Sequence, residues 1–581
     1  MLKLYRRFKP LEIALIFVII GITVFQVWCS MQLVDYLQYT VADISSPTGV
    51  DTNGVWRDGG LMIMYSALVM LAQVIIAFIA PLIGSRLTYR IRKEYNNKVL
   101  HFSQYEIKKF SVSSLSTRVS NDLQQFQFTT ILVLRMFFAA PITSIWSICK
   151  INVNGVWQLT TITAIGIVAI TVGLGVLIFV AIPQFKKIQK FLDKINGLTG
   201  ENITGVRVIR AFNAEDFQED KFEGTNKNLT KANLIAGRLT SVLSPYISLV
   251  MSMMSLLIYW IGAQIIHNGN AVLNYAGLMA YSQLSAMIVM SFMMLLFMFM
   301  MIPRANVCAN RVNEVLTTEL SIKECEIEEQ TTSNGEVEFI DVDFTYPEAS
   351  SPVVSNLNFK ITQGKTLAII GSTGSGKSSI INLIERFYDV TSGEVKVDGV
   401  NVKNLKIATL RSKVALVPQK SILFSGTVKE NIDILELGLT DEEIYEALDM
   451  ACASSFIKEK EGELEFKVAQ GGTNFSGGQK QRLAIARAIA SRAEIIVFDD
   501  SFSALDFQTD RKIRDNLKNK LHSTTKIIVA QRVGTIMDAD LIIVLEEGKV
   551  VGQGSHKELL ENCQTYKEIA LSQLSKEELG L

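Results

Sequence analysis

The chain has 581 residues, too many for one compact domain, and 49% of them are hydrophobic. A mean hydropathy of +0.27 excludes a disordered chain and argues against a wholly soluble enzyme. The zero net charge is a cancellation: Lys and Arg outnumber Asp and Glu by 27 to 17 up to Leu320, and beyond it they trail by 30 to 40. A basic, apolar part joined to an acidic, more polar part predicts a membrane domain fused to a soluble one, with no role for nucleic acid.

In chain order, a basic N-terminus (Lys3, Arg6, Arg7, Lys9) leads into an apolar run over residues 13–34. That run is longer than a signal-peptide core and sufficient to cross a bilayer, which takes about 20 residues. Further runs at 60–84, 129–149, 156–182, 239–266 and 271–302 bring the expected spans to six, the third and fourth joined by a short turn at 150–155. Positive charge gathers before the first span, between the second and third (Arg86 to Arg118) and between the fourth and fifth (Lys186 to Arg238). The alternate connections carry Arg57, Lys150 and, over 267–270, no Lys or Arg. Both termini are therefore expected in the cytoplasm. The two basic connections repeat apolar residues at helical spacing, as over 207–212, so the spans should continue as helices into the cytoplasm and need a soluble domain to cover them.

The last two spans are rich in methionine, including Met251, Met253, Met254, Met287, Met290 and Met293. Helix packing and lipid contact are the simpler reading, an adaptable apolar cavity the sharper one. Arg135 reads as a snorkelling cation, and Gln26, Gln73, Gln264 and Gln283 as helix–helix hydrogen bonders. Six cysteines without CxxC spacing and four scattered histidines give no zinc or redox motif.

An acidic, polar linker is expected at 318–334, followed by alternating strand and helix patterns. A buried-strand run at 366–370 precedes GSTGSGKSS: Gly371, Ser372, Thr373, Gly374, Ser375, Gly376, Lys377, Ser378 and Ser379. This is a phosphate loop, whose glycines let backbone N–H groups turn inward around phosphates. Lys377 supplies positive charge and Ser378 a hydroxyl for Mg²⁺. A second strand at 495–498 ends in Asp499, the usual Mg²⁺ partner of such a loop. Ahead of it stands FSGGQ: Phe475, Ser476, Gly477, Gly478 and Gln479.

With those motifs in that order, the chain resembles a half-transporter of the ATP-binding cassette exporter family over essentially its whole length. The resemblance implies a six-span α-helical membrane domain (1–317), the linker (318–334), an α/β nucleotide-binding domain (335–571) and a C-terminal tail (572–581). It also implies ATP and Mg²⁺ as ligands. Tyr346 falls where the family stacks an aromatic ring on adenine, and Gln419 where its glutamine touches Mg²⁺. Ser503 and Asp506 bound the SALD turn. Segments 113–121 and 214–222 resemble the coupling helices that press on the nucleotide-binding domains. The family works as head-to-tail pairs, so FSGGQ would serve an ATP held by a second half-transporter chain.

Two positions depart from the family pattern. The catalytic glutamate is replaced by Asp500, whose carboxylate falls roughly 1.5 Å short, the length of one C–C bond. The histidine that contacts the γ-phosphate is replaced by Gln531. Gln470-Gly471 also stands where exporters often carry Glu-Arg. The expectation is a heterodimeric exporter of small amphipathic compounds in a bacterial cytoplasmic membrane, this chain holding the impaired ATP site. Export of a dedicated lipid or peptide, and an ATP-gated regulator, are the alternatives.

Overall fold

The computed structural model describes residues 1–45, 50–153, 156–268, 273–577 and 579. Parts of the expected turns at 150–155 and 267–270, the first two residues of the sixth run and the end of the tail lie outside the described residues. The chain forms two compact units, Met1–Lys98 with Ser113–Thr318, and Val99–Val112 with Glu319–Leu581.

Among the described residues are six helical stretches long and apolar enough to cross a membrane, lying almost wholly in the first unit: Pro10–Ile44, Thr52–Leu100, Val112–Ile151, Trp157–Thr204, Glu215–His267 and Tyr275–Thr317. Each contains or closely overlaps one expected apolar run and extends well past it, as the amphipathic connections predict. The third is not one uninterrupted helix. It comprises Val112–Thr117, a π-helical turn at Arg118–Asp122, Leu123–Met136 and Ala139–Val153. The break at Phe137 has a local cause: Pro141 has no N–H to give the carbonyl four residues earlier. Charged residues tie neighbouring helices together. Arg90 clamps the buried Glu12 through both guanidinium ends, at 2.6 and 2.5 Å. Arg118 reaches Glu314 at 2.8 Å and Arg311 reaches Asp122 at 3.1 Å. Within the apolar zone the hydroxyls of Thr163 and Ser285 satisfy each other at 2.9 Å, which removes the cost of burying either alone.

The second unit is an α/β domain. Its strands are β1 (Val337–Phe344), β2 (Val354–Ile361), β3 (Thr366–Gly371), β4 (Ser392–Val397), β5 (Val400–Asn401), β6 (Val414–Val417), β7 (Gly426–Thr427), β8 (Lys467–Val468), β9 (Ile495–Asp499), β10 (Thr525–Val529), β11 (Leu541–Glu546) and β12 (Lys549–Gly554). Six form one sheet in the order β12-β11-β3-β10-β9-β6. All neighbours in it are parallel except β11 and β12. Its central strands are mostly apolar and buried, β10 throughout, because both faces are covered, one of them in a core shared with β1, β2 and β4. The consequence for function is geometric: parallel strands all end at the same edge.

Residues 99–112 belong to this second unit, so the stretch between the second and third spans that packs with the ATPase fold is Gln104–Phe110, not the expected 113–121. That helix starts at a capping box between Ser103 and Glu106. Glu106 also accepts from the backbone of Ser321 at 2.8 Å, and Tyr105 packs on the β1–β4 core. Residues 113–121 instead form the base of the third span. Both stretches carry helical patterning; only the cap and the apolar contacts tell them apart. The expected linker also lies along the domain: Arg386 donates to the Lys323 carbonyl and Glu329 N–H to that of Asn404, at 3.0 and 3.2 Å.

Candidate active site

Four chain segments leave the same edge of the parallel sheet. The phosphate loop follows β3, Gln419 follows β6, Asp499 and Asp500 end β9, and Gln531 follows β10. Because β10 lies between β3 and β9, with β6 beyond β9, residues separated by up to 160 positions become neighbours.

The phosphate loop has the conformation its glycines require. Gly374 and Gly376 take φ of 85° and 97°, in the left-handed region. A Cβ on Gly376 would meet Val354 Cγ1 at 2.6 Å, and one on Gly371 would meet the Leu545 carbonyl oxygen at 2.3 Å. Lys377 begins an eight-residue helix, Lys377–Ile384, and its ammonium donates to the carbonyls of Gly371 and Ser372 at 2.9 and 2.7 Å. Burial pulls the Lys377 ammonium below its usual range. The Ser375 hydroxyl is buried without a partner, which fits a loop built to receive further polar atoms.

The Ser378 hydroxyl faces Asp499 Oδ1 at 3.4 Å. Burial pushes the Asp499 carboxyl up, the Ser378 hydroxyl opposes this and the neighbouring Asp500 charge adds to it. A hydroxyl–carboxylate pair beside a second carboxylate is an environment a small hard cation relieves, so these oxygens fit Mg²⁺.

Asp500 has φ of 47°, and its N–H is held by the Val529 carbonyl at 3.0 Å. One of its oxygens, Oδ2, accepts from Gln531 Nε2 at 2.9 Å and from Gln419 Nε2 at 3.2 Å. The two departures from the family pattern are thus bonded to each other, which the sequence did not signal. Next to Asp500, the buried Ser501 hydroxyl donates to the Val417 carbonyl at 2.8 Å and locks this turn to the end of β6.

Tyr346 stands two residues beyond β1. Its hydroxyl meets Ser379 Oγ at 3.0 Å and the Asn382 amide at 3.4 Å. Its ring lies edge-on to Phe344 and Tyr388, and the Lys108 ammonium sits 5.2 Å from its centre. Sequence reasoning found Ser379 but missed Asn382, Tyr388 and Lys108. Asn382 was within reach, being three residues after Ser379 on one helix face, whereas Lys108 is 238 positions from Tyr346.

The signature residues are built as a helix start. Ser476 and Gln479 form a capping box at the head of Gly477–Ala490, while Phe475 is buried against Phe456 and Phe466. Ser476 and Gly477 are exposed, so the N-terminal N–H groups of a fourteen-residue helix face outward, a natural anion seat. In the SALD turn, Ser503 donates to the Asp500 carbonyl at 2.8 Å and Asp506 caps the helix Phe507–Lys520.

Comparison with known proteins agrees with this geometry. Residues 354–503 match the ABC transporter family and residues 13–302 its ABC transporter transmembrane region. An uncharacterized ABC transporter ATP-binding protein of Mycobacterium bovis is 36% identical over 528 residues, 90% of each chain. The chain belongs to the ABC transporters. It is a half-transporter, one membrane domain and one ATPase domain fused in a single polypeptide, and it couples ATP hydrolysis to transport. An uncharacterized ABC transporter ATP-binding protein of Bacillus subtilis is 33% identical over 555 residues, 91% of each chain. In fold, the half-transporter is similar to a bacterial Atm1-family ABC exporter with ATP bound, at a TM-score of 0.79 and 20% identity over 96% of this chain and 97% of that one.

Proposed function

We propose that this half-transporter pairs with a different half-transporter to export small amphipathic compounds across a bacterial cytoplasmic membrane, and that its own ATP site hydrolyses slowly. Both termini and the ATPase domain would lie in the cytoplasm, as the basic connections favour. The observation that carries the reading is Asp500, where two amide donors converge on one carboxylate oxygen. Both bonds occupy the oxygen that would have to receive a proton from the attacking water. A carboxylate shortened by a methylene and already engaged by two amides is poorly placed to activate water.

The remaining groups suit ATP retention. Tyr346 offers its ring to adenine, the phosphate loop offers N–H groups and Lys377, and Ser378, Gln419 and Asp499 would hold Mg²⁺. Bound there, the metal would neutralise charge between the β- and γ-phosphates. The exposed Ser476 and Gly477, with the half-buried Gly478, would complete the partner's site, where an intact glutamate would hydrolyse.

The test is the ATPase rate of this chain purified alone in lipid. A low rate, restored by adding the partner half-transporter, is expected. A rate equal to that of ordinary homodimeric exporters, abolished by Asp500→Asn, would leave a homodimeric pump.

A further inference from the structure

The C-terminal helix Gln564–Gln573 ends on a residue with an unusual pair of bonds. Gln573 Oε1 accepts from the Val533 N–H at 2.8 Å, and Gln573 Nε2 donates to the Gln531 carbonyl at 2.8 Å. One side-chain amide therefore reads two peptide groups two residues apart, as a neighbouring strand would. Among natural side chains only Asn and Gln present a donor and an acceptor in one plane in this way, and Asn is a methylene shorter.

Those two peptide groups follow directly on the end of the sheet's own bonding. Ala530 N–H is the last to pair with β3, through the Ile369 carbonyl at 3.2 Å. Val533 then opens the helix Val533–Ile536, so its N–H is a helix-start donor with no partner inside that helix. Gln531 and Arg532 are exposed; the Gln531 amide bonds Asp500 and the Arg532 guanidinium donates to the Ser503 carbonyl at 3.4 Å. The helix carrying Gln573, by contrast, is anchored: Tyr566 and Ala570 are fully buried, and the Tyr566 hydroxyl meets His556 Nδ1 at 2.6 Å. A core-anchored element thus holds the backbone on either side of Arg532, beside the side chain that bonds Asp500.

We infer that Gln573 is a positioning residue of the ATP site, clamping the backbone of 531–533 so that the Gln531 amide stays directed at Asp500. The tail beyond residue 571 is then part of the catalytic apparatus. The inference rests on the ATPase activity of the family and not on the impaired-site reading, since any turnover, fast or slow, passes the Gln531–Asp500 contact.

The experiment uses the full-length chain in lipid with radiolabelled ATP, which reads slow turnover, together with hydrogen exchange over 531–536. Gln573→Ala should speed exchange in that stretch and leave β10 unchanged. Its kcat should fall about fivefold, the worth of one net hydrogen bond, while KM stays within about twofold because the phosphate loop and Tyr346 are untouched. Gln573→Glu keeps the acceptor for Val533 and loses the donor to Gln531, so exchange at Val533 should stay slow while kcat still falls. Faster exchange with unchanged kcat would reduce Gln573 to an anchor of its own helix and overturn the inference. So would unchanged exchange, or a loss of kcat accompanied by equal changes in KM and thermal midpoint.

Discussion

Single residues in this half-transporter carry more than their side-chain chemistry suggests, because the sheet edge crowds them. Lys377 makes two bonds to its own loop's carbonyls, at 2.9 and 2.7 Å, and burial disfavours its charge. Phosphate oxygens offer that ammonium a better neighbour. Lys377→Ala should therefore lower nucleotide photolabelling sharply while leaving the loop's glycine geometry intact; unchanged labelling would remove the phosphate-loop assignment. Glu385, just after the same helix, makes a different prediction. It is 3% exposed, its Oε1 has no partner, and burial pushes its carboxyl up to about 8 against some opposition from Arg411. Folded, it keeps a proton that the unfolded chain releases above about 4.5. Its contribution to stability is thus complete below that pH and is lost as pH rises towards 8, at about 1.4 kcal/mol per pH unit at most. Glu385→Gln should flatten this slope. The check is the denaturant midpoint of the ATPase domain in the full-length protein at pH 6 and pH 8; an unchanged gap between them would assign the slope to other groups.

Among the elements, the two basic connections behave differently. Gln104–Phe110 packs on the ATPase fold, with Tyr105 on its core and Lys108 over the Tyr346 ring. That places Tyr346, the tyrosine proposed to face adenine, in contact with the chain joining two spans. The tip around 214–222 keeps its apolar side chains exposed, Phe212 at 79% and Phe217 at 68%. Exposed aromatics in such a pair mark a surface awaiting a partner. Phe217→Asp removes no buried contact, so folding should survive, while transport should uncouple from ATPase. Retention of both activities at parental levels would make the tip a solvated turn. The 113–121 assignment fell short for a physical reason: helical character is shared along the whole connection, and docking is decided by which apolar side chains find a covering surface.

For the whole molecule, the consequential question is which ATP is hydrolysed. If this chain's site retains ATP and its signature serves a partner, Ser476→Ala should nearly abolish turnover of the pair. Asp500→Asn should be far milder, because the shorter carboxylate is already engaged by two amides and stands back from the water it would have to activate. ATPase assays of the reconstituted pair decide between them, and an equally severe effect of Asp500→Asn would reverse the assignment of roles.

The sequence by itself determined the two-part architecture, the six spans and the identity of the phosphate-loop, signature and β9 residues. Each of these is written locally, in apolar runs of bilayer length or in glycine and cap residues at fixed spacing. Where the runs end as helices was less legible, because amphipathic extensions have no composition boundary. What only the tertiary structure decided is who meets whom at the sheet edge: Gln419 and Gln531 on one oxygen of Asp500, Lys108 over Tyr346, and Gln573 on the backbone of 531–533. Those meetings depend on strand order, which places β10 between β3 and β9. Strand order is set by how long-range crossovers pack, and no local pattern encodes it.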